Sequence, residues 1–173
     1  LRATKGAQLR LKTYVRRNSP IRYKKVKKLK SRFAVESDIS VLTMFNRELI
    51  EAQKHRNSMD NNQLRKRMQG LLSTQEYSAV LFCHSNSSQE DIGYALFQER
   101  ADDIYLRQFL ITQDFQRSGF GTIAFQILKG EYWPQAKRVT VETLSNNPRA
   151  LGFWRSLGFQ DYSVQLELES EAH

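Results

Sequence analysis

Apolar residues change their period along this chain, and the first change, near Tyr77, limits the fold more than any other feature. Ile39, Leu42, Phe45, Leu49 and Ala52 recur at helical spacing, and Leu64, Met68, Leu71 and Leu72 mark a second, shorter helix. Ser37 or Asp38 suits the cap of the first, and the polar stretch KHRNSMDNN ends it. From Tyr77 the period is that of strands. YSAVLFCH (Tyr77 to His84) reads as a buried strand, SNSSQED as a turn, IGYALFQER (Ile92 to Arg100) as the return strand of a hairpin, and DIYLRQFLIT (Asp103 to Thr112) as a third strand. The pattern is helical again from Gly121 to about Trp133, and RVTVETL (Arg138 to Leu144) is a strand.

A last helix follows. Asn147 suits its N-cap and Pro148 its first position. Ala150, Phe153, Trp154 and Leu157 share one apolar face, and Gly158 stands where a left-handed cap belongs. The segment DYSVQLELE then alternates strictly, with Tyr162, Val164, Leu166 and Leu168 on one side, which predicts a final strand. This order predicts an α/β (α+β) fold: a mixed, mostly antiparallel sheet flanked by helices, with one parallel crossover. SRFAV (Ser31 to Val35) suits the sheet's first strand.

Charge divides the chain differently. The 173 residues carry a net charge of +9, yet residues 1–35 hold 13 Lys/Arg and no acid, and the rest holds 14 Lys/Arg against 18 Asp/Glu. Residues 1–30 therefore read as a basic arm and 31–173 as a single domain. The arm suits an anionic partner such as nucleic acid, or pairing with a second subunit in a homodimer, or an Arg-rich transit peptide. Its few aromatics favour a plain solvated segment. No apolar run of 18 residues exists, so no membrane helix is expected. The lone Cys83 cannot form an internal disulfide and fits a reducing cytoplasm. Cys83 and His84 adjoin, but His55 and His173 are distant, so no metal spacing appears.

The stretch QRSGFG, Gln116 to Gly121, raises the question of function. Glycines opening a helix let a backbone approach a phosphate closely. A bare turn before a helix is one reading. A dinucleotide fold is another, because Gly119, Gly121 and Ala124 satisfy G-x-G-x-x-A and Glu142 ends the next strand where a ribose-binding acid belongs. That fold places its motif after the first strand and needs several further βα units, and only one more helix and one more strand follow RVTVE here.

A third reading joins two motifs. QRSGFG, followed by NNPRALGFWRSLGF, resembles the GNAT superfamily of acetyl-CoA-dependent N-acetyltransferases. Gln116, Arg117, Ser118, Gly119, Phe120 and Gly121 fill that family's Q/R-x-x-G-x-G/A phosphate loop, and Asn147, Ala150, Phe153, Trp154, Leu157, Gly158 and Phe159 match its later segment. The resemblance implies a GNAT-like sheet and acetyl-CoA as co-substrate. It places the pyrophosphate on the amides from Arg117 to Thr122 and the pantetheine arm against Ile111, Thr112 and Gln113. It leaves residues 1–35 unexplained. It also departs from the family twice: Gln113 stands where proline is usual, and Trp154 where a proton-donating tyrosine often stands.

Acetyl transfer to an amine needs a base for the amine and donors for the thioester carbonyl. The strand before the loop offers Tyr105, Arg107 and Gln108 and no central carboxylate, so Glu142, one strand over, is the candidate base. A surface ion pair is the plainer reading of that residue. The acceptor is an unknown primary amine, and the resemblance implies that about residues 38–75 select it; Arg65, Lys66 and Arg67 there suit a carboxylate or phosphate, with a solvated helix face the plainer reading. The rival of another class is a GNAT-like module that binds the coenzyme without turnover.

Overall fold

A computed structural model of the chain describes residues 29–53, 56–84, 90–133 and 138–168. Five strands form one sheet in the order β1-β2-β3-β4-β5: β1 (Leu29–Phe33), β2 (Ser78–His84), β3 (Asp91–Glu99), β4 (Asp103–Ile111) and β5 (Arg138–Val141). The first three pairings are antiparallel and β4–β5 is parallel. Four helices flank the sheet: α1 (Ile39–Gln53), α2 (Asn61–Ser73), α3 (Phe120–Ile127) and α4 (Pro148–Ser156). The expected mixed sheet with one parallel crossover is present, and Ser31 to Phe33 belong to its first strand. That strand begins at Leu29, so the arm of residues 1–30 and the domain meet inside β1. The arm up to residue 28 and most of the SNSSQED turn lie outside the described residues.

Strand alternation sorts the core into two layers. Val80, Phe82, Ile104, Leu106 and Ile111 face α3 and α4, where they meet Phe120, Phe125, Trp133 and Trp154. Ala79, Leu81, Tyr94, Leu96 and Leu110 face α1 and α2, where they meet Leu42, Phe45 and Met68. Two helix starts use acids differently. Asp60 caps α2 in a reciprocal box with Gln63. Asp38 precedes α1 but reaches back to the Val35 amide at 2.8 Å and pairs with Arg32 of β1 at 2.6 Å. Arg32 and the Val35 amide together hold the Asp38 carboxyl below the usual carboxylate range.

The predicted final strand is not formed. Residues 160–168 follow α4 without joining the sheet, and Tyr162, Leu166 and Leu168 are 92%, 89% and 98% exposed. Alternation supplies a two-sided segment, but a strand also needs a neighbour for its amides and carbonyls. Here the described contacts are an exposed ion pair from Arg56 to Glu167 and another from Arg155 to Asp161. β5 is also shorter than predicted, ending at Val141 rather than Leu144.

Candidate active site

Where β5 ends, the sheet opens. The β4–β5 ladder runs from Asp103↔Arg138 to Leu106↔Val141 and stops, while β4 continues to Ile111. The backbone from Arg107 to Ile111 therefore has no ladder partner on its β5 side among the described residues. The chain leaves β4 through Thr112, whose amide donates to the Ile92 carbonyl at 2.9 Å, and a 3-10 turn at Gln113–Phe115. The Gln116 side-chain amide returns to the Ile111 carbonyl at 2.8 Å, closing the loop on the strand it came from.

Two residues of the glycine loop carry the turn into α3. Arg117 (φ 56°) and Gly119 (φ 82°) are left-handed, and Gly119 is the N-cap of α3. A side chain at Gly119 would meet open space, so backbone conformation is what asks for glycine there. Gly121 has another reason. A Cβ there would lie 3.1 Å from the Phe153 ring, so its bareness lets α4 approach α3. Ser118, Phe120 and Thr122 complete the turn, with Phe120 buried edge-on to the His84 ring. First-turn amides of a helix lack carbonyl partners four residues back, and the dipole there favours an anion.

The Gln113 departure has a structural consequence. Its amide, which proline would lack, donates to Glu48 of α1 at 2.9 Å and ties the loop entrance to that helix. The second motif is mostly scaffold. Asn147 accepts from the Ala150 amide at 3.1 Å as the N-cap of α4. Phe153 stacks on Phe109 at 5.8 Å. Trp154 is buried among Phe109, Phe125, Phe153 and Phe159, with ring centroids 4.8–6.0 Å away. The turn at Leu157 to Phe159 is a Schellman closure: Phe159 donates to the Trp154 carbonyl and Gly158 to that of Arg155.

On the opposite face of β4, one feature escaped the sequence reading. Phe97 pairs with Leu106 and Leu96 with Gln108, so Arg107 is an extra residue, a β-bulge. Simple alternation would put Gln108 opposite Tyr105. The bulge instead turns Arg107 and Gln108 to the same side. Arg107 reaches the Tyr77 hydroxyl at 3.3 Å, and Gln108 accepts from buried Tyr94 at 3.0 Å. Tyr105 donates to Glu142 at 3.1 Å across the β4–β5 pair, under the Arg100 guanidinium. Burial, then the Glu142 charge, raises the Tyr105 phenol above its ordinary value, so it stays a donor. Exposed Glu142 thus holds a neutral partner and forms no ion pair among the described residues. Among the described residues, Arg107 Nε on β4, Thr143 Oγ1 just beyond β5 and Trp133 Nε1 are buried polar atoms without partners. Orphaned polar atoms are rare in native interiors and suit a ligand's polar groups. An opened parallel pair ending on a glycine-capped helix offers strand and helix-start main-chain groups of the kind an amide-bearing, anionic ligand uses.

The comparisons agree with this architecture. Residues 44–159 match the acetyltransferase (GNAT) family, and the chain belongs to it. No curated protein matches the chain. Among solved structures, an acetyltransferase from Thermus thermophilus is 21% identical, with a TM-score of 0.64 over 77% of this chain and 87% of that one. A possible acetyltransferase from Clostridium difficile 630 is 14% identical, with a TM-score of 0.66 over 84% and 99%. The aminoglycoside N-acetyltransferase AAC(6')-Iy, solved with CoA, is 10% identical, with a TM-score of 0.65 over 84% and 97%. At these identities the solved structures share the fold.

Proposed function

We propose that this chain transfers the acetyl group of acetyl-CoA to a primary amine. The observation that carries the reading is the opening of β4 from β5 directly above the glycine-capped start of α3. In this reading the pyrophosphate takes the amides around Gly119 to Thr122 and the pantetheine arm lies along Arg107 to Ile111. Backbone N–H groups of the opened strand polarise the thioester carbonyl. The amine nitrogen attacks that carbon, forms the C–N bond and loses its proton to Glu142. The C–S bond breaks, and the leaving thiolate is protonated from solvent, since Trp154 has no hydroxyl and is buried in packing.

Glu142 is the base in this scheme because it stands at the opening, on the same face as Tyr105 and Arg107. Tyr105 holds one of its oxygens and leaves the other for the amine. The expected site is cytoplasmic, and the basic arm stays a solvated segment with nucleic acid as its alternative partner. Exposed Tyr162 to Leu168 would suit pairing with a second copy in a homodimer. Titration of the chain with acetyl-CoA, followed by thiol release on adding amines, tests the whole scheme. Saturable binding with release supports it. Binding without release from a broad amine panel would favour the coenzyme-binding module without turnover.

A further inference from the structure

Several arginines of this domain have partners among the described residues. Arg32 and Arg155 pair with carboxylates. Arg47 and Arg65 lie on the outer groove between α1 and α2, and both are held there, Arg47 by Asn61 and the Met59 carbonyl, Arg65 by Ser40. Arg67 and Arg107 differ. Both are half-buried, and among the described residues neither pairs with an acid. The hydrogen bond found for Arg107 runs to a neutral phenol, Tyr77, and its Nε is buried with no acceptor. Its guanidinium also lies 5.5 Å over the Tyr77 ring.

Like charges brought together and partly desolvated cost free energy unless something offsets them. Arg67 lies on the flank of α2 between Leu64 and Met68, within electrostatic reach of Arg107, Tyr94 and Tyr77. Burial, and then repulsion from Arg107, lowers its affinity for a proton. Alternation from Tyr105 sets Arg107 on this face, and the bulge brings Gln108 to the same side beside it. Register extends the argument. Leu106 pairs with Val141, so Arg107 and Glu142 occupy the next positions on the two strands, at the point where they part. A cation on one lip and a carboxylate on the other flank the opening, and they form no ion pair with each other.

We infer that Arg67 and Arg107 bind an oxyanion of the acceptor, a carboxylate or a phosphate, so that the acceptor is an amine carrying an anionic group a few bonds away. The inference rests on the acetyl-transfer reading for the word acceptor, but the anion subsite itself does not need turnover. Guanidinium groups suit either anion through paired N–H donors, and the Tyr77 hydroxyl adds a third contact.

Two matched probe pairs separate the sources: β-alanine against β-alaninamide for a carboxylate, and phosphoethanolamine against ethanolamine for a phosphate. Calorimetric titration of the full chain, with and without coenzyme A, reads binding directly. The expected result is that one probe with the anionic group binds about tenfold tighter than its partner without it. Arg67→Gln and Arg107→Gln each remove that preference, and Arg107→Lys restores part of it by keeping the charge. Melting curves confirm that the variants are folded, and the lysine variant keeps the test open if glutamine unfolds the chain. Equal binding of the probes with and without the anionic group overturns the inference, as does a preference that survives both glutamine variants. Absence of thiol release would count against acetyl transfer and leave the arginine result to be judged on binding alone.

Discussion

β4 presents one face to α3 and α4 and the other to α1 and α2, and the two faces are built from different materials. Toward α3 and α4 it sends Ile104, Leu106, Phe109 and Ile111 into a layer of aromatic rings, with Trp154 at its centre. Toward α1 and α2 it sends Tyr105, Arg107, Gln108 and Leu110, and three of those four carry polar groups that reach Glu142, Tyr77 and Tyr94. The first face fixes the backbone of a loop and a helix start. The second arranges side chains from segments far apart in sequence. A ligand held by the first is held by main-chain shape and by a dipole, whereas what approaches the second is chosen by individual side chains. Substitutions on the first side should act on coenzyme binding or stability, and those on the second on turnover and acceptor choice.

The largest effect is expected at Gly119. Aspartate there adds a negative charge at a helix start and must hold a φ of 82°. Acetyl-CoA affinity should fall by about a hundredfold or more, two tenfold steps of about 1.4 kcal/mol each. Asn tolerates the left-handed region and carries no charge, so Gly119→Asn should lose much less. Calorimetry of both variants separates charge from conformation. Equal affinity for Gly119→Asp and the parent would remove this loop from the coenzyme site.

The same contrast explains what could be read from the sequence. The loop Gln116 to Gly121 and the segment Asn147 to Phe159 are contiguous, and their glycines, cap and proline have fixed meanings wherever they occur, so that half was legible. The other half was only partly so. Glu142 was singled out because it stands near the end of the predicted strand RVTVETL. Arg107 follows Tyr105 by alternation, but the direction of Gln108 was not readable, since a bulge between Leu96 and Phe97 breaks the two-residue period on which strand reading depends. Arg67 lies on α2 and Tyr77 in the short link between α2 and β2, and their relation to Arg107 of β4 exists only in three dimensions. The tail from Tyr162 to Leu168 shows the opposite failure. Its period was read correctly, but period alone does not supply a pairing partner.

A change at Glu142 probes the second face. Glu142→Gln keeps an acceptor for the Tyr105 hydroxyl and removes the proposed base, so the rate of acetyl transfer should fall by about a hundredfold, within the range found for general-base groups. Acetyl-CoA affinity should stay within twofold. Loss of coenzyme binding in this variant would blur the separation of the two faces, and an unchanged rate would assign the proton to another group or to water.

Trp154 tests the first face with a smaller expected effect. Its ring is surrounded by four others and is 8% exposed, so Trp154→Phe should act as a packing change. A cost of about 1–3 kcal/mol is usual for such a substitution, lowering the melting temperature by about 2–4 °C per kcal/mol in a domain of this size. The rate should be nearly unchanged. Trp154→Tyr adds a hydroxyl to that layer, and a rate above the parent's would show that the hydroxyl reaches the leaving sulfur. A complete loss of turnover in the phenylalanine variant, with coenzyme binding intact, would move Trp154 from scaffold to chemistry.

The smallest effect is expected from removing the arm. Both faces of β4 are assembled from residues between Leu29 and Leu168, and the contacts that define them come from α1 to α4 and the five strands. The cut should fall after residue 28, because β1 pairs Leu29 to Phe33 with His84 to Val80 and its loss would open an edge of the sheet. Chains lacking residues 1–28 should therefore bind acetyl-CoA within a few-fold of the parent. The segment removed is dense in Lys and Arg and contains no acid, so its removal cuts the net charge sharply. Any role in holding nucleic acid would show as oligonucleotide affinity that falls steeply with salt in the full chain, through release of counterions, and is lost in the shortened one. A role in self-association would show as a change of mass in light scattering. A large loss of acetyl-CoA affinity in the shortened chain would instead mean that the arm's cations assist the phosphates, and the coenzyme side would then depend on side-chain charge as well as on backbone.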